Sequence, residues 1–260
     1  MPILKAASAM VASLVPFIDP GGRNVMVLIA KCSYQIGPKG LDASTDQVPV
    51  LLTDTHIDGD RTKEMLVPSD FADHKPVGEV MVIRPTSENA ARAVTGRTVS
   101  IRVGDLFFSG EARAPWPLGP LPRNHKLRAR YAGTYDDDWQ KNRLPLLPTD
   151  FNPLFNQAAP QAQRARQAFV GNERISIEGL YGNGAPVTFG LPGKTVLVTA
   201  NVRQEYFSEA ARLDTMLVWS DVAKITLIWR HVIRPRQKCE EIGDVSANFV
   251  RLQTAREFFA

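Results

Sequence analysis

Asp54, His56, Asp58 and Asp60 stand at alternate positions, and here residue type and spacing could first support chemistry. On an extended chain they would share one side, and imidazole with carboxylates is a ligand set for a metal ion. No second His or carboxylate cluster completes that set, so we read the stretch as a solvent-facing edge and turn in which Gly59 supplies the bend. Asp136, Asp137 and Asp138 beside Trp139 combine acids with an aromatic ring, the composition of a sugar site. They are better explained as groups that bond backbone N–H donors and redirect the chain. Other chemistries find no foothold. GxSxG is absent, and His56, His74, His125 and His231 lie at polar turns or strand ends. The Gly179 to Gly184 run lacks the GK[ST] ending of a phosphate loop and reads as a long hairpin turn. Cys32 and Cys239 form no CxxC, which leaves a disulfide and two reduced thiols both open. No catalytic residue, cofactor or metal is expected, and the chain is not read as an enzyme.

The elements that must position any site are mostly strands. Of the 260 residues 44% are hydrophobic and 22% charged, an ordinary composition for a soluble globular protein. The net charge of +4 is spread along the chain; Arg230, His231, Arg234, Arg236 and Lys238 make a basic strand end without any nucleic-acid motif. Near the N-terminus a lone Lys5 precedes a weak apolar run, and Pro16, Phe17 and Asp19 stand where a cleavage site would belong. This argues against a signal peptide, and no stretch reaches the roughly 18 apolar residues of a membrane span, so a cytoplasmic location is expected. Strands are predicted over Val25–Ile36, Val48–Leu52, Glu79–Val82, Arg97–Val103, Leu106–Ser109, Ile175–Ile177, Val187–Phe189, Val196–Val202, Leu213–Trp219 and Ile225–Val232. Helices are predicted over Ala158–Phe169, with Pro160 in its first turn, and over Ser246–Phe259. The whole reads as mainly β, an antiparallel β-sandwich or two packed β-sheets joined by a Pro-rich strap with one or two short helices. Residues 1–112 form an N-terminal β half, 113–172 the strap and 173–260 a C-terminal β half, or the three make one continuous domain.

The strap holds the most particular residue order. Gly133 permits a left-handed turn, and Pro145 and Pro148 exclude helix and hold Leu144, Leu146 and Leu147 extended along a core. Trp139, Phe151 and Phe155 are apolar anchors, each contributing roughly 1.5–3 kcal/mol if fully buried.

The run Gly133-Thr134-Tyr135-Asp136, then Trp139, Arg143, Pro145, Leu147-Pro148, Asp150-Phe151, Ala159-Pro160 and Gln163 resembles the signature of the DUF2169 family. Lys31, Lys75-Pro76, Glu79 to Val82, Leu191-Pro192-Gly193, Leu213-Asp214-Thr215 and Trp229-Arg230 extend the resemblance. The chain departs from the family between Gly110 and Gly119, where a usual long middle section is absent. The resemblance implies a non-catalytic adaptor or chaperone that binds a secreted effector. It would help load that effector on the spike of a type VI secretion system, a VgrG or PAAR-type protein. In that setting Gly133, Thr134, Tyr135, Asp136, Trp139, Arg143, Pro145, Pro148, Asp150, Phe151 and Pro160 are the candidate partner-binding or structural residues. The rival readings are a carbohydrate- or ligand-binding β module that stacks on Trp116, Tyr135 and Trp139, and a glycosidase-like enzyme using Asp136 and Asp138.

Overall fold

A computed structural model describes residues 2–19, 21–182, 185–235 and 241–255. The long apolar run at the head of the chain becomes β3 (Asn24–Gly37), hydrogen-bonded on one side to β2 (Val11–Ile18) and on the other to β15 (Lys224–Ile233). Because side chains alternate along a strand, Leu28, Ala30, Cys32 and Tyr34 enter one core while Val25, Val27 and Ile29 enter a second. This central sheet runs β2-β3-β15-β14-β7, with β4 (Gly40–Ala43) added to β3, β14 spanning Arg212–Trp219 and β7 spanning Glu79–Ile83.

Two four-stranded sheets cover its first face. One has the order β11-β10-β8-β9, from Val187–Gly190, Arg174–Glu178, Thr98–Val103 and Leu106–Glu111. The other has the order β1-β16-β12-β13, from Leu4–Ala6, Ile242–Arg251, Lys194–Val202 and Glu205–Ala210. The second face is covered by Met65–Val67 (β6), which pairs with Thr55–His56 (β5), and by Ala158 and Ala159 of the strap. The protein is therefore mainly β, and each of the three large sheets takes strands from both sides of the strap. The pairs β7–β14 and β1–β16 are parallel within this otherwise antiparallel scheme.

The hairpins form where the turn chemistry dictates. Gly104, at φ 55, turns β8 into β9, and Gly179, at φ 77, leaves β10. A Cβ on Gly179 would lie 2.1 Å from the Thr98 carbonyl oxygen, so only glycine allows that approach. Gly182 follows at φ 51, and the turn joins the paired strands β10 and β11; Asn183 and Gly184 lie outside the described residues.

Three expected elements are corrected. Residues 48–52 make no strand: Val50 and Leu51 pack on the second core, and the Leu51 N–H bonds the Asp70 carboxylate at 2.8 Å. Ala158–Phe169 is not a helix but an irregular run holding one short 3-10 turn, Gln161–Gln163, because its backbone groups bond β7 and its neighbours instead. The first part of the expected C-terminal helix, residues 246–251, belongs instead to strand β16, whose Val245 and Ala247 are fully buried between β1 and β12; only Leu252–Ala255 is helical, and residues 256–259 lie outside the described residues. The apolar spacing of Val245, Ala247 and Phe249 suits a strand as well as the expected helix, and sheet pairing decided between them.

Candidate functional site

The strap is built on local capping. Asp136 caps the short helix α1 (Asp137–Asn142), its carboxylate accepting the Trp139 N–H at 2.9 Å. Asp138 accepts the Asn142 amide at 2.7 Å, while Asp137 lies exposed in the first turn of α1. Asp150 receives both the Thr134 N–H and hydroxyl, at 2.9 and 2.8 Å. Those two bonds hold the Asp150 carboxyl below its ordinary range. Gly133, at φ 85, brings its backbone so close that a Cβ would meet Pro148 at 2.8 Å. Trp139 donates its indole N–H to the Leu146 carbonyl at 2.8 Å and meets Tyr135 edge-on, 4.7 Å between ring centres. Arg143 donates to the Leu147 carbonyl at 2.6 Å. Pro160 precedes the 3-10 turn, whose buried Gln163 donates to the carbonyls of Val80 and Leu118, both at 2.9 Å.

Two expectations change. The leucine run does not lie along the core, since Leu144 is exposed and Leu146 and Leu147 are half-buried. Trp139, Phe151 and Phe155 are likewise only half-buried: Phe151 and Phe155 meet edge-on and line a groove, and Trp139 packs on Tyr135.

That groove, about 510 Å³, separates the strap from the end of β2. Pro16, Phe17 and Ile18 form one wall; Tyr135, Pro145, Leu146, Leu147, Phe151 and Phe155 form the other. Phe71 lies between them, stacked on Phe17 at 4.2 Å. Its volume falls within the usual range for ligand pockets, and its lining is mostly apolar. β2 ends the strand order of the central sheet. The opposite edge is different: Val82 of β7 donates to Leu118 at 2.9 Å and Ala165 to Gly78 at 2.8 Å, so the strap covers it.

Next to the groove, six charged side chains that the sequence reading did not gather are buried together. Lys31 meets Asp70 at 2.8 Å, Lys75 pairs with Glu79, and Arg230 pairs with Asp214. Lys75 also donates to the Thr215 hydroxyl at 2.9 Å, which itself donates to Asp214 at 2.8 Å. Arg230 reaches the Asp70 carbonyl at 3.0 Å. A bulge in β14 between Leu213 and Thr215 makes this possible, since it turns Asp214 toward Arg230. Burial pushes Lys31 and Lys75 below their ordinary values, against the pull of Asp70 and Glu79. Burial would raise Glu79, but the Lys75 charge and the Ala159 N–H, at 2.9 Å, hold it below the usual carboxylate range. Arg230 is held above its ordinary value by Asp214 and Asp70, again against burial. Lys31, Lys75, Glu79 and Asp214 had stood out in the sequence only through the family resemblance, and Arg230 also as part of the basic strand end, where it is in fact buried.

The Asp54 to Asp60 alternation does not survive folding. Asp58 takes φ 54 inside a 3-10 turn, and the groups go separate ways: Asp54 to the Ser69 N–H, His56 to the Lys63 carbonyl, Asp58 to Lys63 and Asp60 to Thr62. Trp116 lies against β7, its indole N–H on the Val82 carbonyl at 2.7 Å, away from the Tyr135–Trp139 pair. Cys32 is a buried free thiol that donates to the Ala9 carbonyl at 3.0 Å; Cys239, Arg236 and Lys238 lie outside the described residues.

Residues 21–109 and 108–230 match the bacterial family described as "Uncharacterized protein conserved in bacteria (DUF2169)". The chain belongs to that family. The two matched stretches meet within β9. No curated protein and no solved structure matches the chain. Among the described residues, no helix is long and apolar enough to cross a membrane.

Proposed function

We propose that this DUF2169 protein is a non-catalytic, cytoplasmic adaptor. It holds a type VI secretion effector in the strap-rimmed groove and delivers it to a VgrG or PAAR-type spike protein. The observation that carries the reading is the apolar groove lying open beside an edge strand. An extended segment of the effector adds to β2 through backbone hydrogen bonds and sets apolar side chains between Phe17, Phe71 and Phe151. Each such side chain contributes roughly 1.5–3 kcal/mol when fully buried. The rigid strap keeps the groove open before binding, which lowers the ordering cost of association.

The test is co-expression with the neighbouring gene products, affinity capture and size-exclusion chromatography at two salt concentrations. A stoichiometric complex with a toxin-like or spike-like neighbour supports the adaptor, provided that Ile18→Asp, at an exposed position of the groove wall, abolishes it while the protein stays folded. A complex indifferent to Ile18→Asp moves the dock elsewhere. Elution alone beside every neighbour, together with a sugar-dependent thermal shift, replaces the adaptor with a carbohydrate-binding module.

A further inference from the structure

The segment Asp70–Lys75 is pinned at both ends by buried ion pairs, Asp70 to Lys31 and Lys75 to Glu79. Between the pins, Phe71 and Ala72 face the apolar groove, and Asp73 lines both that groove and a second concavity of about 310 Å³. The second concavity continues the first around Asp73. Its walls are residues 73–75, Arg212 and Asp214 at the start of β14, and Arg230, His231 and Arg234 at the end of β15, with Glu209 of β13 at the rim.

The charges there are unevenly committed. Asp214 is taken by Arg230 and the Thr215 hydroxyl. Asp73 accepts the His74 N–H at 2.8 Å and the Asn156 amide at 3.4 Å. The cations at the mouth are freer. Arg212 is exposed and spends one N–H on the Pro76 carbonyl at 3.0 Å, and exposed Arg234 has no ion pair among the described residues. Deeper in, the buried Nε of Arg230 has no hydrogen-bond partner among the described residues. An anion seated at the mouth meets the guanidinium groups of Arg212 and Arg234, whose planar fork geometry recognises carboxylates. Asp73 and Glu209 at the walls oppose a dianion and so favour a single carboxylate over a phosphate.

We propose that this concavity is a carboxylate-binding site that receives an Asp or Glu side chain of the polypeptide whose apolar residues fill the adjoining groove. The inference rests on the groove being a polypeptide dock, and it adds the chemistry of the docked segment: apolar residues followed closely by an acid. The source is a polypeptide rather than a free acid because a small carboxylate would occupy one concavity and leave its apolar continuation empty.

The two histidines supply a local readout. Burial pushes His74 down, and Arg212 and Arg234 reinforce this against Asp73 and Asp214. Burial and Arg234 likewise depress His231, against Glu209. A carboxylate placed among them raises both.

The full chain, with labelled histidines, is titrated in an NMR experiment with the peptide acetyl-Phe-Leu-Gly-Glu-amide, its Gln counterpart and acetate. The Glu peptide is expected to move the His74 and His231 signals, raise their titration midpoints and bind roughly tenfold or more tightly than the Gln peptide. The preference is expected to vanish in Arg212→Glu/Arg234→Glu. Equal binding of the two peptides, no response to either, or an equal response to acetate overturns the site. The adaptor reading fails separately. Capture of a neighbouring gene product without a Glu preference removes only the carboxylate site, whereas a Glu preference without capture removes only the adaptor.

Discussion

Glu79→Gln is the sharpest probe of how the strap is held to the sheet. Glu79 is fully buried on β7, and one carboxylate oxygen takes Lys75 while the other takes the Ala159 N–H of the strap at 2.9 Å. The substituted amide keeps the shape and an acceptor for Ala159 but leaves the Lys75 ammonium, 3% exposed, with no opposing charge in contact. Breaking a buried pair in this way costs about 3–5 kcal/mol. In a chain of this size that lowers Tm by about 6–20 °C. The companion Lys75→Met/Glu79→Gln removes both charges and is expected to recover roughly 1–3 kcal/mol relative to the sum of the single variants. Urea titration followed by tryptophan fluorescence measures both, and limited proteolysis reports whether the strap opens first. The sign of the pH dependence is fixed as well. The folded carboxyl lies below its ordinary 4.5, so its contribution is present above that value and is lost as pH falls through the folded pKa. The acid limb of the stability curve is therefore expected to flatten in Glu79→Gln. A single-variant cost below about 1 kcal/mol, or strict additivity in the cycle, would refute the argument, because the pair would then be hydrated or replaceable.

Other expectations follow from close packing. Gly179→Ala forces a Cβ against the Thr98 carbonyl, 2.1 Å away, at a positive φ, so a loss of at least about 2 kcal/mol is expected in urea unfolding; a neutral effect would mean that the β10 exit rearranges freely. Cys32 is fully buried and its thiol is pushed up by burial, so labelling with a maleimide at neutral pH is expected to follow global unfolding; labelling as fast as a free thiol would show that the β3 face opens locally. Ile18→Asp is expected to leave stability within about 1 kcal/mol of wild type while removing partner capture, since Ile18 is 43% exposed. A large fall in Tm would place Ile18 in the fold rather than in the dock.

Local rules carried much of the architecture. The alternation in Val25–Ile36 and Arg97–Val103 gave strands with the right inward faces, and the Gly-Asp pair at 104–105 gave the hairpin, because strand period and turn chemistry are short-range properties. The capping role of Asp136 is likewise near neighbours' work, spanning 3 residues. What no window could supply was any contact whose partners are far apart. Strand β16 carries a pattern that also suits a helix, and only the slot between β1 and β12 made it a strand. The leucines of the strap read as core, yet the sheet they approach ends at β2, so Leu146 and Leu147 line a groove and Leu144 stays exposed. Above all, Lys31, Asp70, Lys75, Glu79, Asp214 and Arg230 look in sequence like solvated charges. Burying them requires each to find its opposite across 4 to 39 residues, through a bulge in β14 and the parallel pairing of that same strand with β7. The sequence determined the strands of clear period and the Asp136 cap; tertiary structure decided the remaining strands and which charges leave water, because desolvation is tolerated only where the partners converge.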